Sequence, residues 1–286
     1  MRLHLIDGTF EIFRAHFSKR PDQPQKATRG LAASLLQLLT DSDEAVTHLA
    51  VAFDNPIRSF RNELFDGYKT EEGVAPEILA QFDAAEAATR ALGIVVWSMR
   101  EFEADDALAT AAARFADSVD QVRILTPDKD LGQCIVGDKV VQVDRIRNKV
   151  IDEPALRARW GVAPASIPDL LALTGDDADG VPGLTGFGNK SAGAVLAQFG
   201  RLEDIPDDPK KWPAGLRGAD RLAQTLAAGR TDAMLYRTLT RLRRDVPLAE
   251  DLDALEWRGV PEREFAAFCE RHGFSELRQR PHRWRT

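Results

Sequence analysis

Seven carboxylates stand just past short apolar runs or at the start of the helix that follows: Asp7 after "LHLI" (3–6), Asp54 after "LAVAF" (49–53), Asp128 and Asp130 after "VRIL" (122–125), and Glu103, Asp105 and Asp106 at the loop-to-helix junction after "IVVW" (94–97). Each has a plain structural reading. Asp7 before Gly8 is a turn former, and Glu103 and Asp105 suit the cap and first turn of a helix. Together they are like charges that repel and push one another's pKa values upward. A divalent cation removes that repulsion, and all-oxygen ligands favour Mg²⁺, Mn²⁺ or Ca²⁺ over zinc. The five histidines are scattered, no G-x-S-x-G elbow is present, and neither Cys134 nor Cys269 has a triad pattern. Acids without a protein nucleophile point to hydrolysis by metal-activated water. Two ions can assist both the attacking and the leaving oxygen, and phosphodiesters suit this best.

What positions these acids is an alternation of strand and helix. The four runs above and "VVQV" (140–143) are short and rich in β-branched residues, as strands buried on both faces of a parallel sheet are. Between them, 30–39, 78–92 and 104–116 carry apolar residues at helical spacing. The pattern predicts an α/β domain with right-handed crossovers, whose strand ends converge on a ligand crevice.

From about 154 the strand signals stop and the text reads helical. "SIPDLLALTG" (166–175) offers Ser166 as an N-cap and Gly175 as a stop. Asp176 and Asp179 then add two more acids in a turn-rich segment, before "GLTGFGNKSAGAVL" (183–196). That loop is neither a Walker A motif nor G-x-G-x-x-G after a strand. It fits a helix-hairpin-helix in which Gly183, Gly186, Gly188, Lys190 and Ser191 meet a DNA backbone without reading sequence. A plain helix–helix turn is the other reading.

In their order, "LIDGTFEIFRA", "AFDNPIRSFRNELFDGYK", "EFEADDALA", "VRILTPDKDL" and "LTGDDADGVPGLTGFGNKSA" resemble the motifs of the 5′-nuclease superfamily. That superfamily comprises the 5′–3′ exonuclease domain of bacterial DNA polymerase I, stand-alone bacterial 5′–3′ exonucleases and flap endonucleases. The resemblance runs the length of the chain, and "TLTRLRRDVPL" (238–248) looks like the family's C-terminal helix. It implies a PIN-like catalytic domain at 1–160, a helical helix-three-turn-helix module at 161–286, and a two-metal site for Mg²⁺ or Mn²⁺. One metal cluster would be Asp7, Asp54, Glu103 and Asp105. Asp106, Asp128 and Asp130 would extend it, and Asp176 and Asp179 would complete the second site. The resemblance also implies K⁺ at the "GLTGFG" turn, Lys69 at the scissile phosphate, and Arg14 as the arginine after the first motif. The activity implied is 5′–3′ exonuclease or flap endonuclease cleavage of DNA with a 5′ flap, a nick or a 5′ end. No polymerase module follows, so a stand-alone, monomeric form is expected.

The sequence departs from the family pattern twice. Glu72 stands where an arginine is usual, removing a cation from the path of a phosphate, and Gly180 replaces an asparagine. Two alternatives stay open: a PIN-type ribonuclease, and a weakly active or non-catalytic binder of branched DNA. A net charge of −7 argues mildly against a polyanion partner. Basic residues nonetheless gather at Arg14, Lys19, Arg20, Lys26 and Arg29, and from Arg217 to Arg244. Phe13, Phe17 and Tyr68 could stack on a base, with core packing as the ordinary role for each. With two cysteines, no signal-peptide pattern and no bilayer-length apolar run, a cytoplasmic protein without membrane association is expected.

Overall fold

A computed structural model describes residues 1–285. The chain packs into two compact units. The first comprises Met1–Ser59, Glu71–Thr126 and the chain from Arg244 on; the second comprises Phe60–Thr70 and Pro127–Arg243.

The first unit is built on four parallel strands, β1 (Arg2–Asp7), β2 (His48–Asp54), β3 (Val95–Met99) and β4 (Gln121–Leu125), in the order β3-β2-β1-β4. The runs predicted as strands form them, and the central β1 and β2 are buried along almost their whole length, as a sheet covered on both faces requires. The 30–39 helix starts earlier, as Lys26–Leu39. The 78–92 stretch is two helices, Pro76–Leu79 and Phe82–Ala91. Between them the Gln81 side-chain oxygen accepts the amides of Ala27 and Thr28 at 3.0 and 3.2 Å, supplying the cap that the Lys26–Leu39 helix lacks locally.

The C-terminal segment, assigned from sequence to the helical module, packs in this first unit. Trp257 donates its backbone amide to Thr47 at 2.8 Å and its indole N–H to the Leu92 carbonyl at 2.9 Å. Helix Glu262–His272 follows, burying Phe265 and Phe268. A two-residue parallel pair, Val260–Pro261 with Trp284–Arg285, is too short to leave a periodic signal.

In the second unit, β5 (Val140–Asp144) pairs antiparallel with β6 (Lys149–Ile151). Strand β6 escaped the sequence reading because Lys149 and Val150 are exposed and no apolar run marks it. Helices Glu153–Trp160, Ile167–Thr174, Asn189–Phe199 and Ala219–Thr240 enclose a core that includes Leu156, Leu170, Leu171, Val195, Leu196 and Leu226. The helix expected over 238–248 is a correction: helix Ala219–Thr240 ends within its first residues, and Arg241 is already extended. The fully buried Arg61 donates to the Leu239 carbonyl at 2.7 Å and the Arg241 carbonyl at 3.2 Å, while Gln133 accepts the Leu242 amide at 3.0 Å. Polar groups that helical bonds would use are thereby taken by side chains. Among the described residues no helix is long and apolar enough to cross a membrane.

Candidate metal centre

In the first unit, Asp7 ends β1 and Asp54 ends β2; the register pairs Asp7 with Ala52, so Asp54 lies two residues further along the neighbouring strand. Asp7 caps helix Gly8–His16, its Oδ1 accepting the Phe10 amide at 2.8 Å and its Oδ2 the Thr126 hydroxyl at 3.0 Å. Asp54 Oδ1 accepts the Ala104 amide at 2.7 Å, tying the end of β2 to helix Ala104–Phe115. That helix carries Glu103 as its N-cap, with Asp105 and Asp106 in its first turn. Glu103 Oε1 accepts the Ser59 hydroxyl at 2.7 Å, and the Glu103 amide donates to Asp106 Oδ2 at 3.0 Å. The same acids thus build two helix starts and tie the end of β2 to one of them.

In the second unit, Asp130, Asp176 and Asp179 each offer an oxygen, all within 4.8 Å of one another. Asp130 opens a 3₁₀ turn, Asp130–Cys134, and is buried; its Oδ1 has no hydrogen-bond partner. Burial holds its carboxyl well above the usual value, and the charges of Asp128, Asp179 and Asp176 act in the same direction against a smaller opposing pull from Lys129. Asp128 differs from its neighbour. It is exposed, and its Oδ1 accepts the Asp130 amide at 2.9 Å. Gln142 donates to the Asp128 carbonyl, and Gln133 to the Asp130 carbonyl at 2.9 Å and the Thr240 carbonyl at 3.0 Å, so the turn is held from two sides.

Asp176 and Val181 exchange two backbone hydrogen bonds of 2.8 Å, closing the turn that holds Asp179. Asp176 Oδ2 meets Lys129 Nζ at 2.9 Å, and Asp179 Oδ1 meets Lys69 Nζ at 2.9 Å. Burial opposes the charge on Lys129, yet its hydrogen bond to Asp176 and the nearby carboxylates outweigh this and raise its pKa. The buried Tyr68 adds its hydroxyl to Asp179 Oδ2 at 3.4 Å. Sequence reasoning missed Lys129, Gln133 and Gln142. Their residue types carry no signal without the fold, although Lys129 lies between two acids.

The remaining candidates divide. The Arg14 guanidinium is engaged by Glu11 and, at 2.7 Å, by Ser34. Glu72 is exposed. The glycine hairpin joins helix Ile167–Thr174 to helix Asn189–Phe199. Gly183 is left-handed, and a Cβ there would meet the Gly175 nitrogen at 2.3 Å, so it closes the hairpin. Ser191 exchanges 3.0 Å hydrogen bonds with the amide and carbonyl of Gly188, which fixes the helix start. Gly186, Gly188 and Lys190 are exposed. Of the arginines in 217–244, Arg230 and Arg237 turn inward, Arg230 onto the Leu202 and Ile205 carbonyls and Arg237 onto Asp169 and Glu203. Arg217, Arg221, Arg241, Arg243 and Arg244 are exposed. Phe17 is 73% exposed, against its expected place in the core.

The family described as the 5′-3′ exonuclease N-terminal resolvase-like domain matches residues 2–161, and the 5′-3′ exonuclease C-terminal SAM fold matches residues 162–263. The chain is 37% identical over 265 residues to DNA polymerase I of Rhizobium leguminosarum, covering 88% of this chain and 26% of that one. It thus spans about a quarter of the length of that relative. It is 32% identical over 216 residues to a 5′-3′ exonuclease of Aquifex aeolicus, covering 73% of this chain and 74% of that one. A crystal structure of the bacteriophage T5 flap endonuclease, a pseudo-enzyme–product complex with DNA and metal ions, shares the fold at TM-score 0.65 and 19% identity, covering 98% of this chain and 100% of that one. The chain belongs to the 5′-3′ exonuclease family.

Proposed function

We propose that this chain is a divalent-metal-dependent nuclease that hydrolyses DNA phosphodiesters near a 5′ end or 5′ flap. The observation that carries this reading is the Asp130, Asp176 and Asp179 group, three carboxylates within 4.8 Å with a buried, unpartnered Asp130 oxygen. Such a group fits a hard cation: the donors are all oxygens, and the Asp130 carboxyl is raised first by its burial and then by the charges of Asp128, Asp179 and Asp176. Mg²⁺ or Mn²⁺ is the natural occupant. We assign a second ion to Asp7, Asp54, Glu103 and Asp105, with Asp106 holding the Glu103 amide; Asp128 instead holds the amide of Asp130 in the three-aspartate group.

When bound, the ions supply Lewis-acid polarisation of the phosphodiester and of water. The chain's own residues bind and orient. Lys69 brings a positive charge to the phosphate, and Arg14 anchors the helix that follows Asp7. Gly186, Gly188 and Lys190 offer exposed backbone and charge at the start of helix Asn189–Phe199, which suits the DNA backbone, with K⁺ at the turn. Exposed arginines between 217 and 244 extend that basic surface. The T5 relative's complex with DNA and metal ions is consistent with this assignment. The test is a comparison of DNA and RNA 5′ flaps of identical sequence with Mg²⁺. Cleavage of DNA in preference to RNA is expected; preference for RNA would favour a ribonuclease.

A further inference from the structure

The Asp130, Asp176 and Asp179 carboxylates are crowded enough that the metal-free chain needs some other positive charge near them. Lys129 provides it. Its Nζ lies 2.9 Å from Asp176 Oδ2, and the Asp176 side chain is 6% exposed. The anchor of this lysine is fixed, because the Asp130 amide is held by Asp128 and the Asp128 carbonyl by Gln142. Its side chain is 32% exposed, so the ammonium has solvent to move into without any backbone change.

We propose that Lys129 is a tethered counter-cation of this carboxylate group, one that holds Asp176 in the metal-free protein and must release Asp176 Oδ2 before a divalent ion takes it. Lys129 is then a positioning residue that sets the affinity of the site. Two effects act in the same direction: the ion has to displace an existing ion pair, and a lysine that stays nearby repels it. The proposal rests on reading the three aspartates as a metal group.

The test is a calorimetric titration of the full chain with Mn²⁺, in an Asp54→Asn background that weakens the first unit's acid set. Asparagine can still accept the Ala104 amide there, so that background is expected to fold. Lys129→Met, which keeps the aliphatic stem, is expected to bind Mn²⁺ about fivefold more tightly, the scale of one partly exposed ion pair. In EDTA the same variant is expected to melt below its parent, and adding Asp176→Asn is expected to restore much of that loss. Affinity equal to or below the parent's, or an unchanged melting temperature in EDTA, overturns the proposal while leaving the metal site intact. A parent that takes up no Mn²⁺ removes the metal reading itself, and this proposal with it.

Discussion

The Lys69 ammonium lies 2.9 Å from Asp179 Oδ1, and the Lys69 amide donates to the Asp179 carbonyl at 3.0 Å. Side chain and backbone thus join the same two residues, one the candidate phosphate-binding lysine and the other a candidate ligand. Gly180 permits the approach. Its φ is +73°, and a Cβ there would meet the Gly67 carbonyl oxygen at 2.1 Å. The glycine that departs from the family's asparagine is therefore required by this chain's own packing.

Gly180→Asn is accordingly expected to destabilise the protein by about 2 kcal/mol or more, read as a lower midpoint in thermal or urea unfolding. Asparagine tolerates the left-handed backbone, but its Cβ cannot avoid the Gly67 carbonyl. An unchanged midpoint would show that the two segments part at little cost.

Lys69→Ala is expected to slow single-turnover cleavage of a 5′ flap at saturating enzyme by about tenfold, roughly 1.4 kcal/mol of barrier. Glu72→Arg is expected to raise that rate by a similar factor, because Glu72 is exposed and an arginine there restores a cation to the strand's path. If both variants match the wild type, this segment is not the gateway for the reacting strand.

The two acids of "TPDKDL" should differ. Asp130→Asn is expected to abolish cleavage, because the buried carboxylate of the three-acid group is lost. Asp128→Asn is expected to reduce cleavage more mildly, since an amide oxygen can still accept the Asp130 amide. Equal losses in the two variants would place Asp128 among the ligands.

The same residue makes a pH prediction for the metal-free protein. The Asp130 carboxyl is raised in the folded state, so its contribution favours folding below the ordinary carboxylate pKa of about 4 and is lost as pH rises through the raised value. In EDTA, the melting temperature of Asp130→Asn relative to wild type should climb as pH increases from about 4. A difference independent of pH contradicts the burial argument.

At the hairpin, stability and binding can be separated. Gly186 has φ +92°, so Gly186→Val should both destabilise the turn and weaken DNA binding. A Cβ on Gly188 meets nothing within 4 Å, so Gly188→Val should fold normally and still bind DNA less well, about equally across sequences. Gel-shift titrations on unrelated duplexes check this. Full affinity in Gly188→Val removes that residue from the interface.

The parallel strands were legible because buried β-branched runs have few other uses, and Asp7 and Asp54 were legible because β1 and β2 each end on one of them. Asp130 and Asp128 looked equivalent, since spacing cannot show that one points inward and the other caps its neighbour's amide. Lys129 and Gln133 act through contacts with Asp176 and Thr240, distant in sequence, and carry no local pattern. The end of the Ala219–Thr240 helix was misjudged because Arg61, far away in the chain, takes its terminal carbonyls. The packing of Trp257 onto Thr47 and Leu92 was invisible for the same reason.

The most direct measurement is cleavage of a DNA 5′ flap and a nicked duplex, each labelled at either end, in Mg²⁺, in Mn²⁺ and in EDTA. A metal-dependent 5′ nuclease predicts short products released from the 5′-labelled strand with either ion, none in EDTA, and none from Asp130→Asn in any condition. Tight binding of the flap with no cleavage under either ion, or cleavage that persists in EDTA, would contradict it.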